Sequence, residues 1–505
     1  MREDWIECTF EDLLDYEQPT KYIVKSTKYS DNFKTPVLTA GKSFIKGYTN
    51  ETDGIFNELP TIIFDDFTTA TQFVDFPFKV KSSAMKILVP TSKLVNMKYL
   101  FNCIQVNRVR NDTHKRYWIS VYAKKKILLP PLVVQNAILS KTEELFSDLD
   151  NGIANFKKAQ EQLKVYRQAV LKKAFEGELT KEWRAKQTHL PTASALLKQI
   201  KEERQNHYNQ QMEDWKKAVK DWEKNGKVET KPRKPSKLDI SVISDYKAEF
   251  KTPVNWSKCQ IADVISDLTD YHANGSYEVL KSNVTLTDIP DYAIMIRATN
   301  FEKQDFKNDL KYVNKHGYNF LSKSKLYGNE ILIGKIGNAG RVYLMPMLNR
   351  KASLAMNLFA LRIKLISSQF LFYQLKNFHQ EKEIKSYVKG VGNPTIDKIS
   401  VRSVHINICS LQEQTQIVQE IESRLSVCDK MEQSINESIE KAEALRQSIL
   451  KKAFEGKLLS QAEIAQCKAA ADYEPASELL KKIQAEKLAK EQEKKKSTIK
   501  KKSKK

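Results

Sequence analysis

Pro290-Asp291 followed by Asp305-Phe306-Lys307 has the loose spacing of a metal-dependent nuclease, in which carboxylates hold Mg2+ and a lysine activates water. Chance produces this spacing often. Gly41-Lys42-Ser43 has the ending of a phosphate-binding loop, but Pro36 stands five positions before Gly41 where that loop needs glycine, so the stretch does not support ATP binding. A third chemistry is recognition by hydrogen bonds alone. Lys42, Ser43, Lys46 and Tyr48 fall on one expected turn, and Asp65, Asp66, Thr68 and Thr69 on another. Later in the chain Arg297, Asn300, Lys335, Asn338, Arg341, Lys389 and Asn393 form a second set. Arg and Lys suit guanine edges, Asn suits adenine, and a carboxylate accepts from the cytosine amino group. The plainer readings stay open: Asp65 and Asp66 could cap a turn, and Gly334, Gly337 and Gly340 could be ordinary hairpin glycines rather than a close approach to a duplex.

Net charge favours the third chemistry. The 505 residues carry a formal charge of +22 and a pI near 9.4, which points to a polyanionic partner, most commonly nucleic acid. Part of that excess lies in KKKSTIKKKSKK, from Lys494 to Lys505, which reads as a disordered basic arm. A hydrophobic share of 41% with 29% charged residues describes a folded, soluble chain of several domains. The six cysteines form no CxxC pair and no His stands at metal-ligand spacing, so free thiols are expected and no metal site. The N-terminal MREDWIECTF does not read as a secretion signal, and the apolar runs are too short to span a membrane, which gives a cytoplasmic expectation.

Such readers must be held in place, and two long helical stretches can do that. From Ser410 to Leu459 the apolar positions Ile421, Leu425, Cys428, Ile435, Ile439, Ala442 and Ile449 keep the 3.5-residue average of a coiled coil. Gly456 suits the helix C-cap. The same pattern occurs 279 positions earlier: LKKAFEG is found at 171–177 and at 450–456, and Asp150 and Arg167 align with Asp429 and Arg446. The first seam is Phe146, Leu149, Phe156, Leu163 and Val170. Each helix can bury the other's stripe, and the connections favour an antiparallel pair, with Phe146 and Phe156 set against smaller residues.

The globular stretches before the helices repeat as well. Trp5 and Cys8 match Trp256 and Cys259, Ser82 and Met85 match Ser353 and Met356, and ASALL at 193–197 matches ASELL at 476–480, with offsets that only rise along the chain. Thr61–Phe64 reads as a strand running into the polar loop 65–69, and NGKVETKPRKPSK at 225–237 reads as a linker. The expected plan is globule, helix, globule, helix, with approximate two-fold symmetry. Two similar modules held at fixed separation could read two patches on duplex DNA, which repeat about every 34 Å along a groove.

These residues resemble a known family. Pro130-Pro131-Leu132 with Gln135 and Ile138, the later SLQEQTQIV, and the endings RQAVLKKAFEGEL and RQSILKKAFEGKL are similar to the repeated regions of type I restriction-modification specificity subunits. Ile331–Val342, ILIGKIGNAGRV, resembles the strand-turn-strand of that family's target recognition domains. The resemblance implies α/β target recognition domains alternating with long α-helices paired as an antiparallel coiled coil. Its boundaries would be 1–128 and 246–407 for the recognition domains and 129–180 and 408–460 for the spacer helices. A helical extension and Pro/Lys linker would fill 181–245, and a helical extension with a basic tail 461–505. It implies a non-catalytic subunit that reads a bipartite target in double-stranded DNA. Two methyltransferase subunits binding S-adenosylmethionine, and restriction/translocase subunits using ATP and Mg, would dock on it, with no cofactor on this chain and no membrane. No NPPY- or DPPY-like tetrapeptide occurs, and Asn393-Pro-Thr lacks the second proline and the aromatic, so methyl transfer falls to a partner. A stand-alone nuclease using Asp291, Asp305 and Lys307, and a coiled-coil scaffold binding DNA by charge alone, are the alternatives.

Overall fold

The computed structural model describes residues 4–41, 43–108, 116–228, 230–242 and 252–502, and of 494, 495 and 497–502 the backbone only. It divides into two units, residues 1–158 with 435–505, and residues 159–434.

The first globule runs β1 (Ile6–Thr9), α1 (Phe10–Leu13), β2 (Leu14–Glu17), β3 (Thr35–Leu38), β4 (Ile45–Thr49), β5 (Thr61–Asp65), β6 (Thr71–Val74), β7 (Lys79–Val80), β8 (Met85–Pro90), α2 (Met97–Val106) and β9 (Lys126–Leu129). Next come α3 (Leu132–Phe175), α4 (Lys181–Ala185) and α5 (Ala193–Lys224). The second globule opens with β10 (Ser257–Gln260), α6 (Ile261–Val264), β11 (Ile265–Asp270), α7 (Tyr277–Asn283), β12 (Leu286–Thr287), β13 (Ala293–Ile296), α8 (Ala298–Glu302), β14 (Lys311–Val313) and α9 (Lys315–Phe320). It continues with β15 (Lys325–Leu326), β16 (Ile331–Gly334), β17 (Val342–Leu344), β18 (Ala352–Leu354), β19 (Leu358–Ile363), α10 (Ser368–Leu375), α11 (Phe378–Ser386), α12 (Lys398–Ser403) and β20 (His405–Ile408). The chain closes with α13 (Leu411–Phe454), α14 (Gln461–Lys468) and α15 (Ala476–Lys502).

Duplication is visible in the topology. One globule has the sheet β2-β8-β5-β6 and the other β11-β19-β16-β17, and the pair β1-β9 has its counterpart in β10-β20. The apolar runs TIIF and ILI form β5 and β16, buried throughout and flanked by strands on both sides, as a continuous apolar strand requires. A one-turn helix follows the first strand of each copy, closed by matching carboxylates: Asp12 accepts from the Thr9 backbone N–H (2.7 Å) and Asp263 from that of Gln260 (2.8 Å).

The long helices start and stop by the same devices. In the first turn of each, a buried glutamine reaches back to a carbonyl: Gln135 Nε2 to Pro130 O (2.8 Å) and Gln414 Nε2 to Cys409 O (2.9 Å). Each ends at a left-handed glycine, Gly177 (φ 77°) and Gly456 (φ 71°). There the N–H groups of Glu178 and Lys457 return to Lys173 O and Lys452 O, and the last carbonyls are satisfied.

Pairing of α3 with α13 is antiparallel in each unit. In residues 159–434, Asn407, just before α13, reaches Phe175 O at the end of α3 (3.3 Å), while Arg167, further back, binds Asp429 (2.7 Å) and Glu432 (2.8 Å) further on. In the other unit Arg446 binds Asp150 and lies 4.5 Å over the Phe146 ring. The two contacts exchange under the repeat: the arginine of each copy binds the aspartate of the other. Leu163, Val170, Ile421, Cys428, Ile435 and Ile449 are buried, and Phe146, Leu149, Phe156, Leu425, Ile439 and Ala442 are half-buried.

After each long helix the chain packs on the globule of the other copy. Arg204 on α5 donates to Ala262 O (2.9 Å) and Ile265 O (2.6 Å), satisfying carbonyls at the end of α6. Lys487 on α15 donates to Glu11 O on α1 (2.6 Å), the matching position of the first copy. The sequence reading expects a disordered arm from Lys494, whereas the backbone of α15 stays helical to Lys502: AEKLAKEQEKKK holds strong helix formers, and no Gly or Pro stops it.

Candidate nucleic-acid interface

In the second globule β16 and β17 form a hairpin whose connection packs along the segment 389–396. Gly337 N–H donates to Pro394 O (2.9 Å), Ile396 N–H to Lys335 O (3.0 Å), and Lys389 and Thr395 exchange backbone bonds (2.9 and 2.8 Å). Left-handed backbone at Gly340 (φ 79°) makes the hairpin possible, and a Cβ there would lie 2.7 Å from Ile384 Cγ2. The two loops bring Lys335, Asn338, Lys389 and Asn393 together. Lys389 and Asn393 are exposed, as is Val391 between them, and Asn338 is half-buried.

Electrostatics sort this set. Lys335 binds Asp270 (2.7 Å), which also holds Lys398 (3.0 Å). Burial pushes the Asp270 carboxyl up, but hydrogen bonds from the two lysines outweigh it and hold the group below its ordinary value. Arg341 is exposed and paired with Glu302, which also accepts from Tyr343 Oη (2.6 Å), and Phe301 stacks on the Tyr343 ring at 4.7 Å. Arg297 donates to Asp309 O (2.6 Å). Asn300 is buried and spends its amide on the Arg297 N–H (2.9 Å) and Asp305 O (3.2 Å), so its side chain closes α8.

In the first globule Lys42 lies outside the described residues. Ser43 sits in the β3–β4 connection, while Lys46 and Tyr48 lie on the edge strand β4, on one face, rather than on the turn itself. The turn after β5 is held by Asp65, which accepts from Phe67 N–H (2.9 Å) and Thr68 N–H (2.8 Å). Asp66 is buried, accepts from Trp118 N–H (2.8 Å) and lies 3.9 Å from buried Lys86. Thr69 is buried with φ 57°, and Thr68 and Phe67 form the exposed tip. Phe67 was not singled out in sequence; an aromatic inside a polar turn is the signal that marks it.

The two carboxylates of the nuclease spacing are engaged locally. Asp305 accepts from Lys307 N–H (2.8 Å) and Asn308 N–H (2.9 Å), and Asp291 from Tyr292 N–H (2.6 Å), so both carboxylates cap their own turns. Among the described residues no three His, Cys, Asp or Glu side chains gather as a metal site would need. No helix among them is long and apolar enough to cross a membrane.

A family model described as the type I restriction modification DNA specificity domain matches residues 253–441. The chain is 42% identical over 182 residues to the type I restriction enzyme EcoR124I/EcoR124II specificity subunit of Escherichia coli, across 34% of this chain and 44% of that one. To the EcoBI specificity subunit of Escherichia coli it is 25% identical over 363 residues, across 72% of this chain and 64% of that one. The chain thus spans less than two thirds of the length of either relative. A chain from a solved structure concerned with complex assembly and conformational transition of the type I R-M system shares the fold, with a TM-score of 0.58 at 14% identity over 90% of this chain and 98% of that one. In its repeated globules, its paired helices and these matches, the chain is similar to type I restriction-modification specificity subunits, with the DNA specificity domain itself matched over residues 253–441.

Proposed function

We propose that this chain is the DNA-sequence-specificity subunit of a type I restriction-modification complex and performs no catalysis itself. Residues 1–128 and 246–407 are the two target recognition domains, each reading one half of a split target. Residues 129–180 and 408–460 are the spacer helices that fix the unread gap, and their outer faces dock two methyltransferase subunits and the restriction/translocase subunits. Methyltransferase partners bring S-adenosylmethionine, and the restriction partners bring ATP and Mg. The complex works in the cytoplasm.

The observation that carries this reading is the exchanged pair of contacts, Arg167 to Asp429 and Arg446 to Asp150, which ties two copies of one globule-and-helix module into a single device. Within each recognition domain the exposed and half-buried groups of the loops and the edge strand are the base readers: Lys46, Tyr48 and Thr68 in one, Asn338, Lys389 and Asn393 in the other. Groups already engaged, such as Asp66 and Asn300, shape the surface that presents them.

The test uses the purified chain with its methyltransferase partner and methyl-labelled S-adenosylmethionine on random-sequence duplex. Methylation confined to one bipartite sequence is expected. Cleavage by the lone chain with Mg2+ would favour a nuclease, and binding without sequence preference a charge-driven scaffold.

A further inference from the structure

The five-stranded sheet of the second globule, β12-β14-β13-β18-β15, has a face that neither the paired loops nor the hairpin uses. Ala293, Met295 and Val313 on that face pack with Leu280, Tyr318 and Leu321, and Tyr292 lies against them. Register sets what stands at the rim. Lys325 pairs with Ser353 across β15–β18, and Ile294 pairs with Ala352 across β13–β18, its N–H donating to Lys351 O (3.0 Å). Tyr292, Lys351 and Lys325 therefore come from three neighbouring strands, although 59 positions separate the first from the second in sequence.

These groups converge closely. The Tyr292 and Tyr318 rings meet edge to face at 5.6 Å. Lys351 donates to the Tyr292 hydroxyl, lies 4.3 Å over that ring and 5.9 Å from the Tyr318 ring, and Lys325 lies 4.7 Å from the latter. The hydrogen bond from Lys351, with the charges of Lys351, Lys315 and Lys325 behind it, holds the Tyr292 phenol below its ordinary value.

Counter-ions are what this cluster lacks. Elsewhere in the second globule Lys303, Lys311 and Lys335 each bind a carboxylate, Asp309, Asp288 and Asp270 in turn. Among the described residues none of Lys315, Lys325 and Lys351 has a carboxylate oxygen within 4.0 Å. Like charges gathered around two phenols repel one another unless an anion joins them. Ammonium groups as point charges, with phenol hydroxyls as neutral donors, match a phosphodiester oxygen.

We propose that Tyr292, Tyr318, Lys325 and Lys351 form a binding site for a backbone phosphate of the DNA, which sets the register of the second globule on the duplex without reading sequence. The proposal rests on the function proposed above and deepens it. A duplex selected by the full chain from a random pool, and an unrelated duplex, serve as probes, with affinity measured against salt for wild type and for Lys325→Gln/Lys351→Gln. Each lost phosphate contact lowers the slope of log K against log salt by about 0.9. The variant is expected to lose about that much on both duplexes, and Lys325→Arg/Lys351→Arg, which keeps the charge, to retain the wild-type slope. A neutral methylphosphonate placed at each position in turn should reveal one phosphate whose replacement weakens wild type and leaves the Gln variant unchanged. An unaltered slope, a loss confined to one base position, or a phosphonate scan identical in the two proteins would overturn the site. Binding slopes are read whether or not methylation proves bipartite, so failure of the site and failure of the proposed function give different results.

Discussion

Glu413 is fully buried near the start of α13, accepts from Trp256 Nε1 (2.9 Å) and Thr180 Oγ1 (2.9 Å), and pairs with Arg184. At the twin junction Val134 and Leu459 hold the positions of Glu413 and Thr180, inside an apolar cluster with Trp5. One junction is thus closed by a polar network and its twin by hydrocarbon. Glu413→Val strands a tryptophan donor and a partly exposed guanidinium, so denaturant unfolding should show a loss of about 2–4 kcal/mol. Adding Thr180→Leu and Arg184→Met, which rebuilds the apolar version, should recover most of it; no recovery would mean that the twin junctions differ in shape. Asp270 gives a pH dependence of defined sign. Its folded value lies below the ordinary 3.8, so as pH falls the unfolded chain takes up the proton first. The contribution from Lys335 and Lys398 is complete above roughly pH 4 and is lost as pH falls through the folded value. Asp270→Asn should remove that part of the acid sensitivity, and identical acid limbs for variant and wild type would contradict the assignment.

At the scale of elements, the two helix ends offer a comparison within one chain. Gly177 and Gly456 are both left-handed, which for another residue costs about 1–2 kcal/mol. A Cβ at Gly177 would lie 2.4 Å from Pro253 Cγ, whereas at Gly456 it would lie 3.3 Å from the Trp5 ring. Gly177→Ala should therefore lower the melting temperature more than Gly456→Ala, and equal effects would show that backbone conformation alone decides. Such caps were legible in sequence because a glycine ending an apolar period is a local signal. So were the seam, the repeat and the strands TIIF and ILI, each a pattern within a few turns of chain. Contacts that depend on tertiary placement were not legible: Asp66 reads as a turn residue until Trp118, far along the chain, supplies its N–H. Asn300 reads as a base reader until α8 buries it. Tyr292, Tyr318, Lys325 and Lys351 share no spacing at all, since only the order β13-β18-β15 makes them neighbours.

For the whole molecule, the proposed function requires that two recognition domains read separate half-sites and that the helix pair sets the gap between them. One heptad added to each helix, before Leu163 in α3 and before Ile435 in α13, keeps the seam in phase and lengthens the pair by roughly 10 Å at 1.5 Å per residue. That length corresponds to about 3 base pairs at 3.4 Å each. The measurement is the map of methylated sequences from random duplex, made with the methyltransferase partner for wild type and for the lengthened chain. The lengthened chain is expected to give the same two half-sites separated by a gap about 3 base pairs longer. Altered half-sites, or unchanged half-sites at an unchanged gap, would contradict it.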